Sequence, residues 1–207
     1  STGLKNASLY EFYGNTGIRN IKPEKSATNE IIGEYNFSQN IRFTSTAYRT
    51  RMKDRIKIKS DWSGYENKIP DTTQEGLESE LILQLGKNNQ LSFTSHFAKS
   101  RTATGGPNSR RPDLSYGVDY FKRFNFIDYG SFDSRLSHRY IGDHIDWTGS
   151  KNEFVKSVDL VDLTISKNFS NNTLSLNFSN LLNERYEKPA TYSQDGRQFR
   201  LTFNRKY

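Results

Sequence analysis

The imidazole and carboxylate groups that could bind a metal ion are concentrated in one stretch late in the chain. His138, Asp143, His144 and Asp146 lie close together there. Their spacing matches no zinc pattern, and strand alternation places His138 on an apolar face beside Tyr140. Cysteine is absent from the chain, which excludes thiolate ligands and thiolate nucleophiles. We therefore predict that the chain has no metal site.

Groups that could form a catalytic site are equally sparse. No nucleophile, base and acid occur together in an arrangement typical of an enzyme, and no glycine-rich phosphate loop follows a strand. The glycines of Gly105-Gly106-Pro107 are predicted to belong to an ordinary loop. We predict no catalytic residues, no cofactor and no enzymatic activity.

Arginine and aromatic residues in the long polar segments are the best candidates for binding a ligand. A guanidinium group binds anions, and an aromatic ring packs against flat or cationic groups. Each residue could also be an ordinary exposed loop residue, because loops are generally polar and variable. The candidates are Trp62, Tyr65, Arg110, Arg111, His144, Asp146, Trp147 and Tyr192.

Alternating polar and apolar residues predict the elements that position these loops. The chain has 207 residues, is 14% aromatic and has a mean hydropathy of −0.85. No apolar run approaches the length of a membrane-spanning helix, whereas alternation of period two indicates strands. Nine strands are predicted, within the ranges 29–37, 41–52, 65–85, 91–97, 114–120, 132–140, 161–165, 174–178 and 197–207.

The lengths of the connections alternate along the chain. Those near 38–40, 86–89, 124–128 and 170–173 are short, whereas those near 53–64, 101–112, 142–154 and 183–195 are long. All short turns then lie at one end of an antiparallel up-and-down sheet, which is typical of an all-β transmembrane barrel. A soluble β-sandwich that acts as a binding module remains an alternative, since its strands alternate too.

The two faces of the predicted sheet differ in chemistry. The outward face is apolar and aromatic, and comprises Tyr35, Phe37, Phe43, Leu81, Leu83, Phe93, Phe97, Tyr116, Tyr120, Phe132, Tyr140, Leu163, Leu174, Leu176, Phe178, Phe199, Leu201, Phe203 and Tyr207. The inward face includes Glu30, Glu34, Arg42, Glu78, Glu80, Asp119, Asp133, Arg135, Asp162 and Arg200. Charges of both signs suit a hydrated barrel interior.

The net charge of +7 indicates an anionic partner or surface. The lysines and arginines are dispersed along the chain rather than clustered, which argues against nucleic acid and favours lipopolysaccharide. We predict no nucleic-acid partner.

Several motifs in this chain resemble those of TonB-dependent outer-membrane receptors, most closely the cobalamin and siderophore receptors. Each motif is weak alone, but together they follow the family's order over nearly the whole chain. They are Ser8–Tyr35 with its Pro23-Glu24-Lys25-Ser26, Thr46–Lys57, Tyr65-Glu66-Asn67, Gly76-Leu77-Glu78, Arg110-Arg111-Pro112, Arg139-Tyr140-Ile141-Gly142, Asn180–Glu187 and Gly196-Arg197-Gln198-Phe199.

This resemblance implies that the chain forms about the last nine strands of a 22-stranded barrel in the bacterial outer membrane. Residues 1–24 are then an extracellular loop and residues 25–207 the C-terminal part of the barrel. The N-terminal plug and the first strands are absent from the chain. The implied partners are TonB, which acts through the plug, the barrel-assembly machinery, the outer membrane with its lipopolysaccharide, and a small nutrient ligand.

The function implied is TonB-dependent import of cobalamin or a ferric siderophore. A passive porin-type barrel and a soluble all-β module for glycans or nucleic acid are the alternatives. The final strand resembles the signal read by the barrel-assembly machinery, with Phe199, Leu201, Phe203 and a terminal Tyr207. Arg205 departs from that signal, because an apolar residue is expected at its position.

Overall fold

The computed structural model describes residues 1–13, 20–59, 61–68, 71–101, 106–148 and 151–205. Within these ranges the chain consists of antiparallel strands and one short helix. In order they are β1 (Thr2–Lys5), α1 (Leu9–Tyr13), β2 (Glu24–Ser38), β3 (Ile41–Lys53), β4 (Arg55–Ile58), β5 (Tyr65–Lys68), β6 (Thr72–Gln84), β7 (Asn89–Arg101), β8 (Leu114–Phe126), β9 (Gly130–Ile141), β10 (His144–Trp147), β11 (Asn152–Val155), β12 (Val158–Phe169), β13 (Asn172–Ser179) and β14 (Gln198–Arg205).

Ten of these strands form one sheet in the order β1-β2-β3-β6-β7-β8-β9-β12-β13-β14. The other four form two separate hairpins, β4-β5 and β10-β11. Each hairpin lies inside one of the long connections, so the long strands pair with their neighbours in chain order. The described strands therefore form an open up-and-down sheet rather than the two packed sheets of a sandwich.

All nine predicted strands are present, but their boundaries differ from the prediction. The range 65–85 was predicted as one strand, and this is wrong: β5 pairs with β4, and β6 begins only at Thr72. Pro70 has no N–H for a sheet ladder, which was a signal for the break. The turn predicted at 124–128 lies at 127–129, because β8 continues to Phe126.

The segment 1–24, predicted as a loop, contains regular structure. β1 pairs with the beginning of β2, from Thr2↔Ala27 to Lys5↔Glu24. Ser8 and Glu11 cap α1 reciprocally, since each side chain accepts a hydrogen bond from the other residue's backbone N–H. Residues 14–19 lie outside the described residues.

The strand register places aromatic and aliphatic side chains on one face of the sheet. Tyr120 lies opposite Leu136, which lies opposite Leu163 on its other side. The same row continues through Phe178 to Phe199. Many of these side chains are exposed, and the few buried hydrophobic residues in the described ranges lie elsewhere. This sheet thus exposes an apolar face, as a lipid-facing barrel wall does.

The opposite face carries ion pairs between neighbouring strands. Arg123 and Asp133 form a bidentate pair with N–O distances of 2.6 and 2.8 Å. Arg135 donates to Asp119 at 3.0 Å. Further along, Arg139 on β9 donates to Asp162 on β12 at 2.7 Å. Opposite charges therefore largely cancel on this polar face.

By contact density the chain divides into two compact units. One comprises residues 1–31, 46–77 and 98–108, and includes the β4-β5 hairpin. The other comprises residues 32–45, 78–97 and 109–207, and includes β8 to β14. No helix among the described residues is long and apolar enough to cross a membrane.

Candidate functional site

A single buried carboxylate joins three of the long loops in the second unit. Asp146 lies on β10, and its side chain is 0% exposed. Its Oδ1 accepts hydrogen bonds from Arg110 Nε at 2.6 Å and Ser109 Oγ at 3.2 Å. Its Oδ2 accepts one from the backbone N–H of Ala190 at 2.9 Å. We call Ser109, Arg110, Asp146 and Ala190 the loop clip.

Backbone hydrogen bonds reinforce the clip around Arg110. Arg110 donates its own N–H to Ile145 O at 2.8 Å, and Trp147 donates its N–H to Ser109 Oγ at 2.9 Å. Arg110 has a φ of +61°, a conformation that a side chain other than glycine adopts at some cost. These contacts hold the backbone of Arg110 in that conformation and fix the direction of its side chain.

The clip also controls the ionisation of Asp146. Burial raises the pKa of this carboxyl, because the charged form loses its hydration. The hydrogen bonds from Arg110, the Ala190 N–H and Ser109, with the positive charge of Arg110, lower the pKa by more. The net pKa lies below the usual value for aspartate, so Asp146 is ionised at neutral pH.

The loops that the clip joins expose two arginines and two aromatic side chains. The Arg110 side chain is 60% exposed although its Nε is bound to Asp146. Trp147 and Tyr192 are 48% and 66% exposed, one residue from Asp146 and two from Ala190 in sequence. Arg111 is exposed beside Arg110. The structure thus connects the loops that carry four predicted ligand residues, while the carboxylate of Asp146 faces the clip rather than solvent.

The last long loop, between β13 and β14, is organised by two asparagines. Asn180 donates its Nδ2 to Glu184 O at 2.9 Å and accepts from the Glu184 N–H at 2.9 Å. Asn183 accepts from the Arg197 N–H at 3.0 Å, where the chain returns to the sheet. A polar cleft of about 460 Å³ opens within this loop, lined by Asn183, Arg185, Tyr186, Glu187, Ser193, Gln194 and Gly196.

Trp62 and Tyr65 belong to the other unit. Trp62 is exposed at the tip of the β4-β5 hairpin with a φ of +59°. Tyr65 packs edge-on against Tyr10, with ring centroids 6.0 Å apart. Asn67 attaches this hairpin to the N-terminal segment, since it accepts from the Lys22 N–H at 2.8 Å and donates to Lys22 O at 2.8 Å.

The histidines of the predicted polar stretch have ordinary partners. His138 Nε2 lies 2.8 Å from Asp159 Oδ1, and its ring lies near Tyr116 on the apolar face. His144 Nδ1 lies 3.2 Å from Gly142 O. In the part of the chain that the structure describes, no three His, Asp or Glu residues are grouped to hold a metal ion.

Two residues of the clip were not predicted from the sequence. Ser109 and Ala190 are small loop residues, and their partner lies 37 and 44 positions away in the chain. No local pattern marks them. Asp146 itself was predicted only as a possible ligand contact, and its burial depends on loops that converge in three dimensions.

Comparison with known proteins identifies the class of the chain. The family described as "TonB dependent receptor-like, beta-barrel" matches residues 1–181. This chain belongs to that family. Receptors of this family are proteins of the bacterial outer membrane, and the chain is a partial barrel from one of them. The family consists of receptors and transporters rather than enzymes.

Solved structures have the same fold. The copper transporter OprC is 15% identical, with a TM-score of 0.81 over 100% of this chain and 36% of that chain. The ferric yersiniabactin uptake receptor FyuA from Yersinia pestis is 18% identical, with a TM-score of 0.69 over 88% and 29%. The ferripyoverdine receptor of the outer membrane of Pseudomonas aeruginosa is 14% identical, with a TM-score of 0.74 over 98% and 29%.

The chain thus spans about a third of the length of the solved structures that it matches. No curated protein sequence is significantly similar to it. At these identities the structures show a common fold, and the ligand of each receptor is a property of that receptor alone.

Proposed function

We propose that this chain forms the C-terminal part of a TonB-dependent receptor that imports a scarce, large nutrient across the outer membrane. The observation that carries this proposal is the family match over residues 1–181. The alternating short and long connections support it, because all long loops then lie at one end of the barrel. In outer-membrane barrels the long loops face the cell surface, where such a ligand arrives.

The ligand that we favour is an anionic metal complex of the ferric siderophore class. The loops joined by the clip expose a guanidinium and two aromatic side chains, from Arg110, Trp147 and Tyr192. A guanidinium binds carboxylate or catecholate oxygens, and aromatic rings cover the faces of a large ligand. The similar solved structures include an iron transporter, a copper transporter and a siderophore receptor, which favours a metal complex over cobalamin.

The partners that we propose follow from this function. A plug and further strands, contributed by residues outside this chain, would complete the barrel, and TonB would act through the plug. The barrel-assembly machinery would insert the receptor beside lipopolysaccharide. Arg111 remains a candidate for ligand contact in the second unit. Trp62 and Tyr65 remain separate candidates in the first unit.

Uptake measurements with the full-length receptor test this proposal. A strain that lacks its own receptors and expresses this one is supplied with radiolabelled ferric siderophores one at a time, and separately with radiolabelled cobalamin. We expect saturable uptake of one siderophore class that stops when TonB is deleted. Saturable uptake of cobalamin alone would show that the ligand is cobalamin and not a ferric siderophore.

A passive porin-type barrel is the remaining alternative, and the same strains distinguish it. Uptake through a passive pore continues without TonB and does not saturate at low ligand concentration. That result would reject active import while leaving the family assignment and the fold unchanged.

A further inference from the structure

The outward face of the sheet carries three cations close to its short turns. Lys122, Lys167 and Arg205 lie on β8, β12 and β14, within the last rows of each strand before a turn or the end of the strand. The register places Lys122 opposite Ser134, Lys167 opposite Phe132, and Arg205 opposite Asn172. All three therefore belong to the apolar face and not to the face that carries the ion pairs.

Phenylalanine rings support both lysines. Lys122 Nζ lies 4.7 Å from the centroid of the Phe124 ring. Lys167 Nζ lies 4.8 Å from the centroid of Phe132 and 4.7 Å from that of Phe169. Aromatic faces attract ammonium groups, so these contacts hold each charge at the sheet surface. We call Lys122, Lys167, Arg205 and the rings of Phe124, Phe126, Phe132, Phe169 and Phe203 the basic–aromatic belt.

The charge of the belt has one sign only. The outward-facing residues in these rows of β8, β9, β12, β13 and β14 are Lys122, Ser134, Ile165, Leu176, Leu201, Phe124, Phe132, Lys167, Leu174, Phe203, Phe126, Gly130, Phe169, Asn172 and Arg205. None of them is acidic. Asp133 lies on the opposite face in its pair with Arg123, and Asp128 lies in the turn beyond the strands. Three positive charges thus share an exposed aromatic surface that offers no carboxylate in these rows.

Short turns of an outer-membrane barrel face the periplasm, so the belt lies at the level of the inner-leaflet headgroups. Aromatic rings favour this interface, and lysine and arginine side chains extend from it towards polar groups. We propose that the basic–aromatic belt binds the phosphate groups of anionic phospholipids in the inner leaflet of the outer membrane. The inference rests on the outer-membrane location and not on import or on the identity of its ligand.

The proposal gives Arg205 a role. Its position interrupts the apolar alternation of the last strand, Phe199, Leu201 and Phe203. A cation here would be unfavourable in the hydrocarbon but favourable at a phosphate surface. Arg205 is therefore the third cation of the belt, beside Lys122 and Lys167.

Native mass spectrometry of the full-length receptor tests this assignment. The receptor is released from mixed micelles that contain phosphatidylglycerol and phosphatidylethanolamine in equal amounts, and the retained lipids are counted. The test variant is Lys122→Gln with Lys167→Gln. The matched control is Arg42→Gln with Arg200→Gln, which removes the same charge from the polar face. Migration on unheated gels verifies that every variant is folded.

We expect the wild-type receptor to retain phosphatidylglycerol preferentially. Removal of the two lysines lowers its affinity for this lipid, roughly fivefold for each cation. Arg205→Gln lowers the affinity further, and the control variant matches the wild type. The variant Lys122→Arg with Lys167→Arg keeps both positive charges and should retain the lipid. This variant keeps the proposal testable if the glutamine variant does not fold.

Equal retention of both lipids by the wild type would overturn the proposal, as would equal losses in the test and control variants. Free inorganic phosphate that displaces the lipid at millimolar concentration would also overturn it, since the belt would then be a simple anion site. Siderophore uptake is measured separately, so failure of the lipid test leaves the proposed import intact.

Discussion

The phenol ring of Tyr48 on β3 lies against the backbone of Gly76 on β6. A Cβ atom placed on Gly76 would lie 2.5 Å from both Cζ and the hydroxyl oxygen of Tyr48. The hydroxyl also accepts a hydrogen bond from Gln74 Nε2 at 3.1 Å. Glycine at this position therefore provides the space that the ring occupies, and Gly76 is the first residue of one of the motifs on which the family resemblance rests.

Replacement of Gly76 by alanine should force the Tyr48 ring away from this position. Overpacking of this kind costs about 1–3 kcal/mol, and the hydrogen bond from Gln74 is lost with it. We expect Gly76→Ala to lower the temperature at which the full-length receptor loses its folded migration on gels. Gly33→Ala is the matched control, because no heavy atom lies within 4 Å of its added Cβ. Equal effects of the two substitutions would show that the close contact is unimportant.

The loop clip predicts a specific effect of Asp146→Asn. The amide would place an NH₂ group among the donors of Arg110, Ser109 and Ala190 and would remove the charge that Arg110 binds. Loss of a charge-assisted hydrogen bond should increase opening of the loops by roughly tenfold or more. Limited proteolysis of intact cells measures this opening, and ligand affinity should fall in parallel.

Asp143→Asn is the control for the clip. Asp143 is exposed on the same connection as Asp146. Its substitution by asparagine removes the same negative charge. We expect its proteolysis rate and ligand affinity to match the wild type. A normal proteolysis rate in Asp146→Asn would mean that the backbone contacts alone hold the three loops together.

The lowered pKa of Asp146 determines how the clip responds to acid. A carboxyl whose pKa is lower in the folded state contributes stability above its unfolded pKa and loses it as the pH falls through the folded value. The reference value is 3.8, and the folded value is lower. The clip should therefore stay closed from neutral pH down to about pH 4 and open only in stronger acid.

Hydrogen exchange of the Ala190 amide measures this response, because that N–H donates directly to Asp146. After correction for the intrinsic exchange rate, protection should be constant from pH 7 to about pH 5 in the wild type. In Asp146→Asn, protection should be lower than in the wild type throughout this range. A loss of protection near pH 6 in the wild type would contradict the lowered pKa.

The end of the last strand gives a prediction for assembly. Tyr207 lies outside the described residues, so this prediction rests on the sequence alternation of Phe199, Leu201 and Phe203 and on Tyr207 itself. Deletion of Tyr207 should lower the amount of folded receptor in the outer membrane several-fold, whereas Tyr207→Phe should not. Folded and unfolded receptor are separated on unheated gels after a short pulse of synthesis. Normal assembly of the deletion variant would exclude this residue as a recognition signal.

The long strands were predictable because membrane and lumen impose a strict period of two on them. Phe199, Leu201 and Phe203 alternate with polar residues, and the structure places all three on the apolar face. The short turns were equally clear from residues such as Gly86 and Asn171. Local sequence therefore predicted the order of the nine strands and the alternation of the connections.

The long loops were less predictable because their structure depends on distant contacts. β4 and β5 have only four residues each, which is too short for a reliable alternation signal. The burial of Asp146 depends on Arg110 and Ala190, which lie on other loops. Asn180 and Asn183 were recognised as parts of a motif, but the hydrogen bonds that fold the last loop became apparent only in the structure.

Because one carboxylate binds groups from three loops, these three loops should be transferred together when they are transplanted into another receptor. A transplant of only the segment around Arg110 into another barrel would leave its guanidinium without Asp146, and the segment around Ala190 would lose its acceptor. Libraries that seek new ligand specificity should instead keep the four clip residues constant. Diversity is then best introduced at exposed neighbours such as Arg111, Trp147 and Tyr192, where side chains can change without dismantling their scaffold.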